Sequence, residues 1–316
     1  MTSERCLSHR TRVAIQDGRW HINGQITYPG APAAGLLMNV RMVNATFEDA
    51  RKPEFDPEAN TRRFIERLPD YVTCGVRAFT LNLQGGYPGY EGAVNSAFAP
   101  DGSLREPYLR RVAQVIEACD ELGAAVILGC FYQRQAHILR DAEAIRTAVI
   151  HAARWVQKNG FTNVLLEIAN EFNHPGFNHP LLRSPEGQVE LIRLARASAP
   201  GLLISTSGVG DGRVPDVVAR AADFILIHFN NTPVEAIPEC IAALRPFGKP
   251  IVCNEDDKVG TEGARAAEAC VASGASWGFM AAQVNQYIPF AFEGPEDDPM
   301  VYATLRELTS ASSARR

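Results

Sequence analysis

Two glutamates end buried apolar segments at positions where they could act together on a substrate. Glu171 ends the segment NVLLEIANE (163–171), and Glu255 ends KPIVCNE (249–255). Two carboxyl groups that face one another can cleave a glycosidic bond, because one protonates the leaving oxygen while the other attacks the sugar carbon. The sequence therefore makes Glu171 and Glu255 the candidate catalytic pair.

Other polar and aromatic residues lie in or after similar apolar segments. Arg77 lies in GVRAF, and a buried arginine beside a carboxylate would keep that carboxylate ionised. His228 ends DFILIH, and the indole of Trp277 offers a flat apolar face for a sugar ring. Five loop residues are equally compatible with a substrate-binding wall and with ordinary surface: Gln84, Tyr87, Gln133, Asn285 and Tyr287.

These residues need a framework, and a repeat of short apolar and longer helical segments supplies it. Strands buried on both faces are predicted at 35–41, 75–82, 124–130, 163–169, 201–206, 223–229, 250–254 and 275–282. Helical patterns lie between them, for example at 106–123 and 142–160. This alternation predicts the α/β class and one (β/α)8 barrel over residues 1–316, with an open doubly wound sheet as the alternative. In such a barrel the active site forms at the carboxyl ends of the strands.

Two segments fall outside the repeat. Residues 11–30 alternate about turn signals at Asp17-Gly18 and Asn23-Gly24, which predicts a small β-hairpin that closes the floor of the barrel. Residues 84–106 are too long for a plain connector, so we expect a functional loop over the barrel mouth.

The composition excludes several classes of protein. With 46% hydrophobic and 21% charged residues, the chain is close to an ordinary globular domain. A net charge of −5 provides no electrostatic surface for nucleic acid or an anionic membrane, and no apolar run approaches the ~18 residues of a membrane span. No signal peptide is recognisable, and no two cysteines form a CxxC motif, so we expect a cytoplasmic protein with reduced, mostly buried thiols at Cys6, Cys74, Cys119, Cys130, Cys240, Cys253 and Cys270.

The residues at the end of the fourth predicted strand carry a family resemblance. NVLLEIANEFNH (163–174) resembles the strand-4 motif of the clan A glycoside hydrolases and is closest to the cellulase-type family 5 pattern, in which an Asn-Glu pair ends the strand. The resemblance implies a TIM barrel in which Glu171 is the acid/base and Asn170 binds the sugar 2-hydroxyl. KPIVCNEDD (249–257) resembles the strand-7 segment that carries the nucleophile, here Glu255.

Three further positions match the family in their order along the chain. The family's strand-2 arginine, which supports the nucleophile, corresponds to Arg77. The strand-6 histidine corresponds to His228 and the strand-8 tryptophan to Trp277. The resemblance extends over roughly the whole predicted barrel and implies a carbohydrate substrate.

The chain also departs from the family pattern. Phe172 follows the acid/base where the family has proline, and the third strand ends Gly129-Cys130-Phe131 without the usual histidine. Asn230 replaces a tyrosine that touches the nucleophile, and Asp256-Asp257 replace Phe-Gly after the nucleophile. These departures are compatible with two-carboxylate chemistry but leave the identity of the sugar open.

Together these observations predict a retaining glycoside hydrolase that acts on a small glycoside or short oligosaccharide without a metal or cofactor. We expect Glu167 to be a buried carboxylate satisfied by backbone or arginine, in preference to a catalytic role. Asp256 and Asp257 are expected to be solvated loop or N-cap residues, with binding of a sugar hydroxyl by one of them as the alternative. One alternative is a metal-dependent sugar isomerase or epimerase with Glu171, His174, Glu255 and Asp257 as ligands. The other is a sugar-binding barrel without activity, and the oligomeric state stays open.

Overall fold

A computed structural model describes residues 10–311 of the chain. The strands are β1 (Val13–Gln16), β2 (Arg19–Ile22), β3 (Gln25–Ile26), β4 (Asn39–Arg41), β5 (Ala78–Asn82), β6 (Ala125–Phe131), β7 (Val164–Ala169), β8 (Leu203–Ser205), β9 (Ile225–His228), β10 (Ile251–Glu255) and β11 (Gly278–Phe279). The α-helices are α1 (Pro57–Thr73), α2 (Glu106–Glu121), α3 (Ala142–Lys158), α4 (Pro180–Arg183), α5 (Pro185–Ser198), α6 (Asp216–Ala221), α7 (Ile237–Leu244), α8 (Gly260–Ala272) and α9 (Pro299–Thr309). Short 3-10 helices lie at Ala136–Ile138, Val234–Ala236, Arg245–Phe247 and Gly294–Asp297, and a π-helical turn at Ala282–Gln286.

Strands β4 to β11 close into a parallel barrel. Six of them hydrogen-bond in the order β11-β4-β5-β6-β7-β8, and β9 pairs with β10. Parallel bridges join the two groups, from Ser207 after β8 to Leu226 in β9, and from Val252 in β10 to Ser276 before β11. This closure confirms the predicted (β/α)8 barrel and excludes the open sheet.

The helices follow from local sequence signals. Helix α3 begins where the Asp141 carboxylate accepts a hydrogen bond from the Ala144 N–H, a common N-cap arrangement. Its buried face repeats at helical spacing through Ile145, Val149 and Val156, which pack on the barrel wall. The apolar faces of the helices thus cover the outside of the strands.

The N-terminal segment covers the floor of the barrel, as predicted, but with three strands instead of a two-stranded hairpin. Both turn signals are used, because Asp17 and Asn23 each adopt the positive φ that a tight turn requires. The resulting antiparallel sheet β1-β2-β3 places Trp20 fully inside the barrel end, with its ring 5.4 Å from that of Phe224.

Residues 10–311 bear on the expected absence of a membrane span and on the expected state of the cysteines. Within this range no helix combines the length and the apolar character that a membrane span requires. The cysteines of this range are unpaired; Cys240 is partly exposed, and the buried ones are Cys74, Cys119, Cys130, Cys253 and Cys270. Cys6 lies outside the described residues, as do residues 1–9 of the N-terminal segment in which no signal peptide was recognised.

Candidate active site

The two candidate glutamates meet at the carboxyl end of the barrel. Glu171 follows β7, and Glu255 is the last residue of β10. One oxygen of each carboxylate and a ring nitrogen of His228 lie within 4.8 Å of one another. His228 ends β9, and its Nδ1 is 3.3 Å from Glu171 Oε1 and 3.6 Å from Glu255 Oε2. The structure therefore brings these three predicted site residues together.

The arginine that supports Glu255 is Arg41, a residue absent from the predicted site. Its Nε lies 2.8 Å from Glu255 Oε2, and its Nη2 donates a 2.7 Å hydrogen bond to Asn170 Oδ1. Arg41 is the last residue of β4, and its side chain is buried. A polar residue at the carboxyl end of a predicted strand was the signal that could have identified it.

The prediction that Arg77 supports the nucleophile is wrong. Strand β5 begins at Ala78, so Arg77 lies at the amino end of the strand, on the floor side of the barrel. Its guanidinium donates to the carbonyl oxygens of Val72 and Val76, each at 3.1 Å. Arg77 therefore holds the end of α1 and does not reach the mouth.

The charges around Glu255 favour its ionised form. Burial alone would raise the pKa of Glu255, but Arg41, His228 and a 2.6 Å hydrogen bond from Asn230 Nδ2 outweigh burial and lower it. Burial alone would lower the pKa of His228, but Glu255 and Glu171 raise it overall. Glu255 thus lies beside the Arg41 guanidinium and the His228 ring, and its lowered pKa favours the carboxylate that a nucleophile needs. Asn230 supplies a contact at the position where the resembling family has tyrosine.

A chain of amides connects the two carboxylates around the mouth. Asn170 is almost fully buried and receives Arg41 on its Oδ1, while its Nδ2 donates to Gln133 Oε1 at 3.2 Å. Gln133 Nε2 in turn contacts Glu171 Oε2 at 3.4 Å. Arg41, Asn170 and Gln133 therefore link Glu255 to Glu171, and Gln133 lies in the site as predicted.

Glu171 has an unusual backbone conformation. Its φ is +52°, in the left-handed region that non-glycine residues rarely adopt. Its N–H donates a 3.0 Å hydrogen bond to Ser207 Oγ, and its carbonyl accepts a 2.7 Å bond from the N–H of His174. Such conformations cost energy and persist where surrounding contacts hold them, often at functional sites.

The carboxylates open into a cavity of about 330 Å³ with a mainly polar lining. Five of the twelve lining residues carry amide side chains: Gln133, Asn170, Asn230, Asn231 and Gln286. Tyr132 adds a phenol, His174 an imidazole and Asp257 a carboxylate. Tyr132, Asn231 and Gln286 were missed by the sequence analysis, although each follows a predicted strand within a few residues. Donors and acceptors of this kind suit the hydroxyl groups of a sugar.

Trp277 does not line the site, contrary to the prediction. It is fully buried before β11, it stacks on Phe279, and its Nε1 donates a 2.9 Å hydrogen bond to Asp256 Oδ2. Asp256 was predicted to be solvated but is buried and pairs with Lys258 at 2.9 Å. Successive strand residues face opposite sides, so Glu255 faces the mouth whereas Asp256 faces the surrounding layer. Asp257 is exposed, as expected.

Four other predicted binding residues lie outside the cavity lining. Gln84 is buried, and its Oε1 accepts a hydrogen bond from the N–H of Tyr132. Asn285 is buried and donates to Asp297. Tyr87 and Tyr287 contact each other edge to face at 5.8 Å. The loop 84–106 thus packs behind Tyr132 instead of covering the two glutamates.

The same three residues are the ones that could hold a metal. Within residues 10–311, the ligand atoms of Glu171, His228 and Glu255 lie close enough to share an ion. The ligand set predicted for the isomerase alternative is different. His174 and Asp257 line the cavity but do not belong to this group of ligand atoms, and His174 Nδ1 accepts a 2.9 Å hydrogen bond from the N–H of Gly176. The guanidinium of Arg41 beside Glu255 opposes a further cation there.

The barrel corresponds to a fold found among solved glycoside hydrolases. One similar solved structure, from Bacteroides vulgatus and provisionally described as a glycoside hydrolase, has a TM-score of 0.65 at 11% identity, and the alignment covers 95% of this chain but only 58% of that longer one. The β-mannanase of the blue mussel Mytilus edulis gives a TM-score of 0.61 at 12% identity, covering 95% and 96% of the two chains. A broad-specificity GH5-4 endoglucanase from Clostridium acetobutylicum gives 0.57 at 9%, covering 87% and 97%.

At these identities the similarity establishes the fold. No protein-family model matches the sequence, and no curated protein sequence matches it either.

Proposed function

We propose that the protein is a retaining glycoside hydrolase that acts on a small O-glycoside or short oligosaccharide. The observation that carries the proposal is the placement of Glu171 and Glu255, whose nearest oxygens fall with His228 inside 4.8 Å. Retaining enzymes hold their carboxyl groups about 5–5.5 Å apart, whereas inverting enzymes need about 6.5–9.5 Å to admit a water molecule. The close spacing favours the retaining reaction.

In the first half-reaction Glu255 acts as the nucleophile. Arg41 and His228 keep it ionised, so its carboxylate can attack the anomeric carbon and form a glycosyl ester. The bond from that carbon to the leaving oxygen breaks, and Glu171 transfers its proton to this oxygen. The aglycone then leaves as an alcohol.

In the second half-reaction Glu171, now ionised, acts as a base. A water molecule loses a proton to Glu171 and attacks the anomeric carbon, and the ester bond to Glu255 breaks. The free sugar leaves with its original anomeric configuration. Both carboxyl groups return to their starting protonation states, so the cycle needs no metal or cofactor.

The size and lining of the cavity support a small substrate. A volume of about 330 Å³ lies at the small end of the range for ligand sites, which is about 300–1,000 Å³. Its lining is rich in amides and contains a single tyrosine, so hydrogen bonds to hydroxyl groups would dominate recognition.

A panel of nitrophenyl glycosides tests the proposal. The names of the structural neighbours, a β-mannanase and an endoglucanase, place β-mannosides and β-glucosides first in the panel, followed by α-anomers, pentosides and furanosides. Turnover should fall by at least about 10³-fold in Glu171→Ala on substrates with poor leaving groups and in Glu255→Ala on all substrates. The matched control is Glu268→Ala, an exposed glutamate of α8, which should retain full activity.

Azide distinguishes the two roles. In Glu255→Ala, azide replaces the nucleophile and attacks once, so the glycosyl azide has inverted configuration. In Glu171→Ala, azide attacks the glycosyl ester, and two displacements give retained configuration. The opposite pattern would exchange the roles of the two glutamates. Absence of turnover by the wild type on every glycoside would contradict the proposal, and sugar-binding and chelation assays would then separate the two alternatives.

A further inference from the structure

A third glutamate lies directly beneath the two at the mouth. Glu167 is the inward-facing residue of β7 and is fully buried. Its Oε1 accepts a 2.5 Å hydrogen bond from Ser207 Oγ, and its Oε2 accepts a 3.2 Å bond from Asn254 Nδ2. Burial raises the pKa of Glu167, although Arg41 and His228 oppose this shift. Both of its partners lead to the active-site carboxylates.

The first connection runs through Ser207 to the backbone of Glu171. The Ser207 hydroxyl has one proton, which it donates to Glu167, and its free lone pairs accept the N–H of Glu171 at 3.0 Å. Glu167 therefore orients the hydroxyl that holds Glu171 in its left-handed conformation. Without the carboxyl group the hydroxyl would be free to rotate away from this arrangement.

The second connection runs through Asn254 to Glu255. The pairing of β10 with β9 shifts between Cys253 and Glu255, so Asn254 is the extra residue of a β-bulge. A bulge re-aims the side chain that follows it. Because Glu167 binds the Asn254 amide from the opposite side of the barrel, it fixes the residue whose conformation directs Glu255 toward the mouth.

We propose that Glu167 is a positioning residue that sets the relative placement of Glu171 and Glu255 through Ser207 and Asn254. The proposal rests on the proposed function, because the spacing of the two carboxylates matters only if both act on one bond. Glu167 itself touches neither carboxylate by a hydrogen bond, so it acts through its two partners.

The test compares two substitutions of Glu167. Glu167→Leu removes both hydrogen-bond acceptors at similar volume. Glu167→Gln keeps an oxygen that can accept from Ser207 Oγ, and its NH2 can donate to Asn254 once that amide turns to present its unpartnered Oδ1. We expect kcat to fall about 10²-fold in Glu167→Leu with KM changed less than about 3-fold, since small misplacements of reacting groups can cost that much. Glu167→Gln should recover most of the lost kcat.

Asn163→Ala supplies the matched control. Asn163 lies immediately before β7 and is as buried as Glu167, but its amide binds the carbonyls of Ile116 and Ala124 at the floor side. This variant should lower the melting temperature and leave kcat unchanged. An equal loss of kcat in Asn163→Ala and Glu167→Leu would show a general structural effect and overturn the proposal.

Ser207→Ala tests the connection from Glu167 to Glu171 while the Glu167 side chain stays in place. It should reproduce part of the kcat loss, and the double variant Ser207→Ala/Glu167→Leu should lose less than the product of the two single effects, because both act along one path. Effects that multiply independently would count against the connection. If Glu167→Leu does not fold, Ser207→Ala alone tests the connection, and an unchanged kcat in this variant would overturn the role of Ser207.

Crystal structures separate failure of this proposal from failure of the proposed function. In Glu167→Leu we expect Glu171 to leave its positive φ or Glu255 to move from Arg41, while Glu167→Gln keeps both. Unchanged positions in the Leu variant would overturn the positioning role whether or not a substrate is known. If the wild type has no glycosidase activity but Glu167→Leu shows these displacements, the function is refuted and the positioning role is retained.

Discussion

The two ends of the barrel are built from the same strands but from opposite kinds of side chain. At the floor, a separate apolar cluster fills the interior, with Trp20 inserted among Leu37, Leu165 and Val252. At the mouth, the interior holds Arg41, Glu167, His228, Asn254 and Glu255, all buried. Strand β7 shows the change within two residues, from Leu165 at the floor to Glu167 beneath the mouth.

Two glycines at the mouth show how space is made for polar groups. A Cβ at Gly129 would lie 2.3 Å from Asn82 Oδ1, and one at Gly278 would lie 2.1 Å from Asn39 Oδ1. Either contact is too close, so any larger residue would displace a buried amide. The floor therefore stabilises the barrel by apolar packing, whereas the mouth holds buried polar groups that cost stability and form the candidate site.

Of the substitutions considered, truncation of the floor tryptophan should lower the stability of the protein most. Trp20→Ala removes a fully buried indole, and we expect it to lower the free energy of unfolding by about 3–5 kcal/mol. Chemical denaturation measures this loss. At a temperature where the variant is folded, kcat/KM should stay within about 2-fold, because Trp20 lies at the end opposite the glutamates.

The control for this variant is Trp155→Ala, whose indole is partly exposed on α3. It should destabilise the protein by less than Trp20→Ala. A large loss of kcat/KM in folded Trp20→Ala would show that the two ends are not independent.

Two arginines, Arg41 at the mouth and Arg77 at the floor side, should differ in their effect on activity. Arg41→Met removes the cation beside Glu255, and we expect kcat/KM to fall about 10²-fold, or about 2.7 kcal/mol. Arg77→Met removes an arginine from the floor side and should leave kcat/KM unchanged while lowering the melting temperature slightly.

The pH dependence of kcat/KM provides a second test of Arg41, because the direction in which the acid limb should move is known. Burial favours the neutral form of Glu255, and Arg41 is the largest of the influences that nevertheless hold the pKa of Glu255 below its ordinary value. Loss of this cation raises the pKa of Glu255, so the acid limb of kcat/KM should move to higher pH. If the acid limb of kcat/KM does not move in Arg41→Met, Glu255 is not the ionised nucleophile.

A smaller effect is expected from the hydrogen bond between Asn230 and Glu255. Asn230→Ala removes the 2.6 Å bond to Glu255 Oε1, and we expect kcat/KM to fall about 10-fold with a smaller shift of the acid limb in the same direction. Asn231→Ala is the matched control, because Asn231 lines the cavity without a hydrogen bond to Glu255. It should change KM and leave the acid limb in place.

The sequence was informative about the barrel because its signals are local and repeated. Each of the eight predicted strands overlaps an observed strand, since buried parallel strands appear as short apolar runs. Glu171, Glu255 and His228 were placed correctly at the mouth because each ends such a run. Arg41 also ends a strand, β4, but it was not included in the predicted site.

The errors arose where the resemblance was followed without the strand boundaries. Arg77 and Trp277 each precede the strand to which they were assigned, so one lies at the floor side and the other is buried behind Glu255. The partners of Glu167 could not be predicted, because Ser207 and Asn254 come from strands distant in sequence. Such contacts depend on barrel register and on a bulge, which apolar patterning does not encode.

The smallest expected effect comes from the different backbone conformations of Glu171 and Glu255. Glu171 has a φ of +52°, a conformation that glycine adopts without penalty and alanine does not. Glu171→Gly should therefore be more stable than Glu171→Ala, by about 1 kcal/mol. At Glu255, in the extended backbone of β10, the order should reverse, with Gly less stable than Ala by about 0.5–1 kcal/mol. Denaturant unfolding of the four inactive variants measures both differences. If Gly is less stable than Ala at position 171 as well, Glu171 does not hold its left-handed conformation in solution.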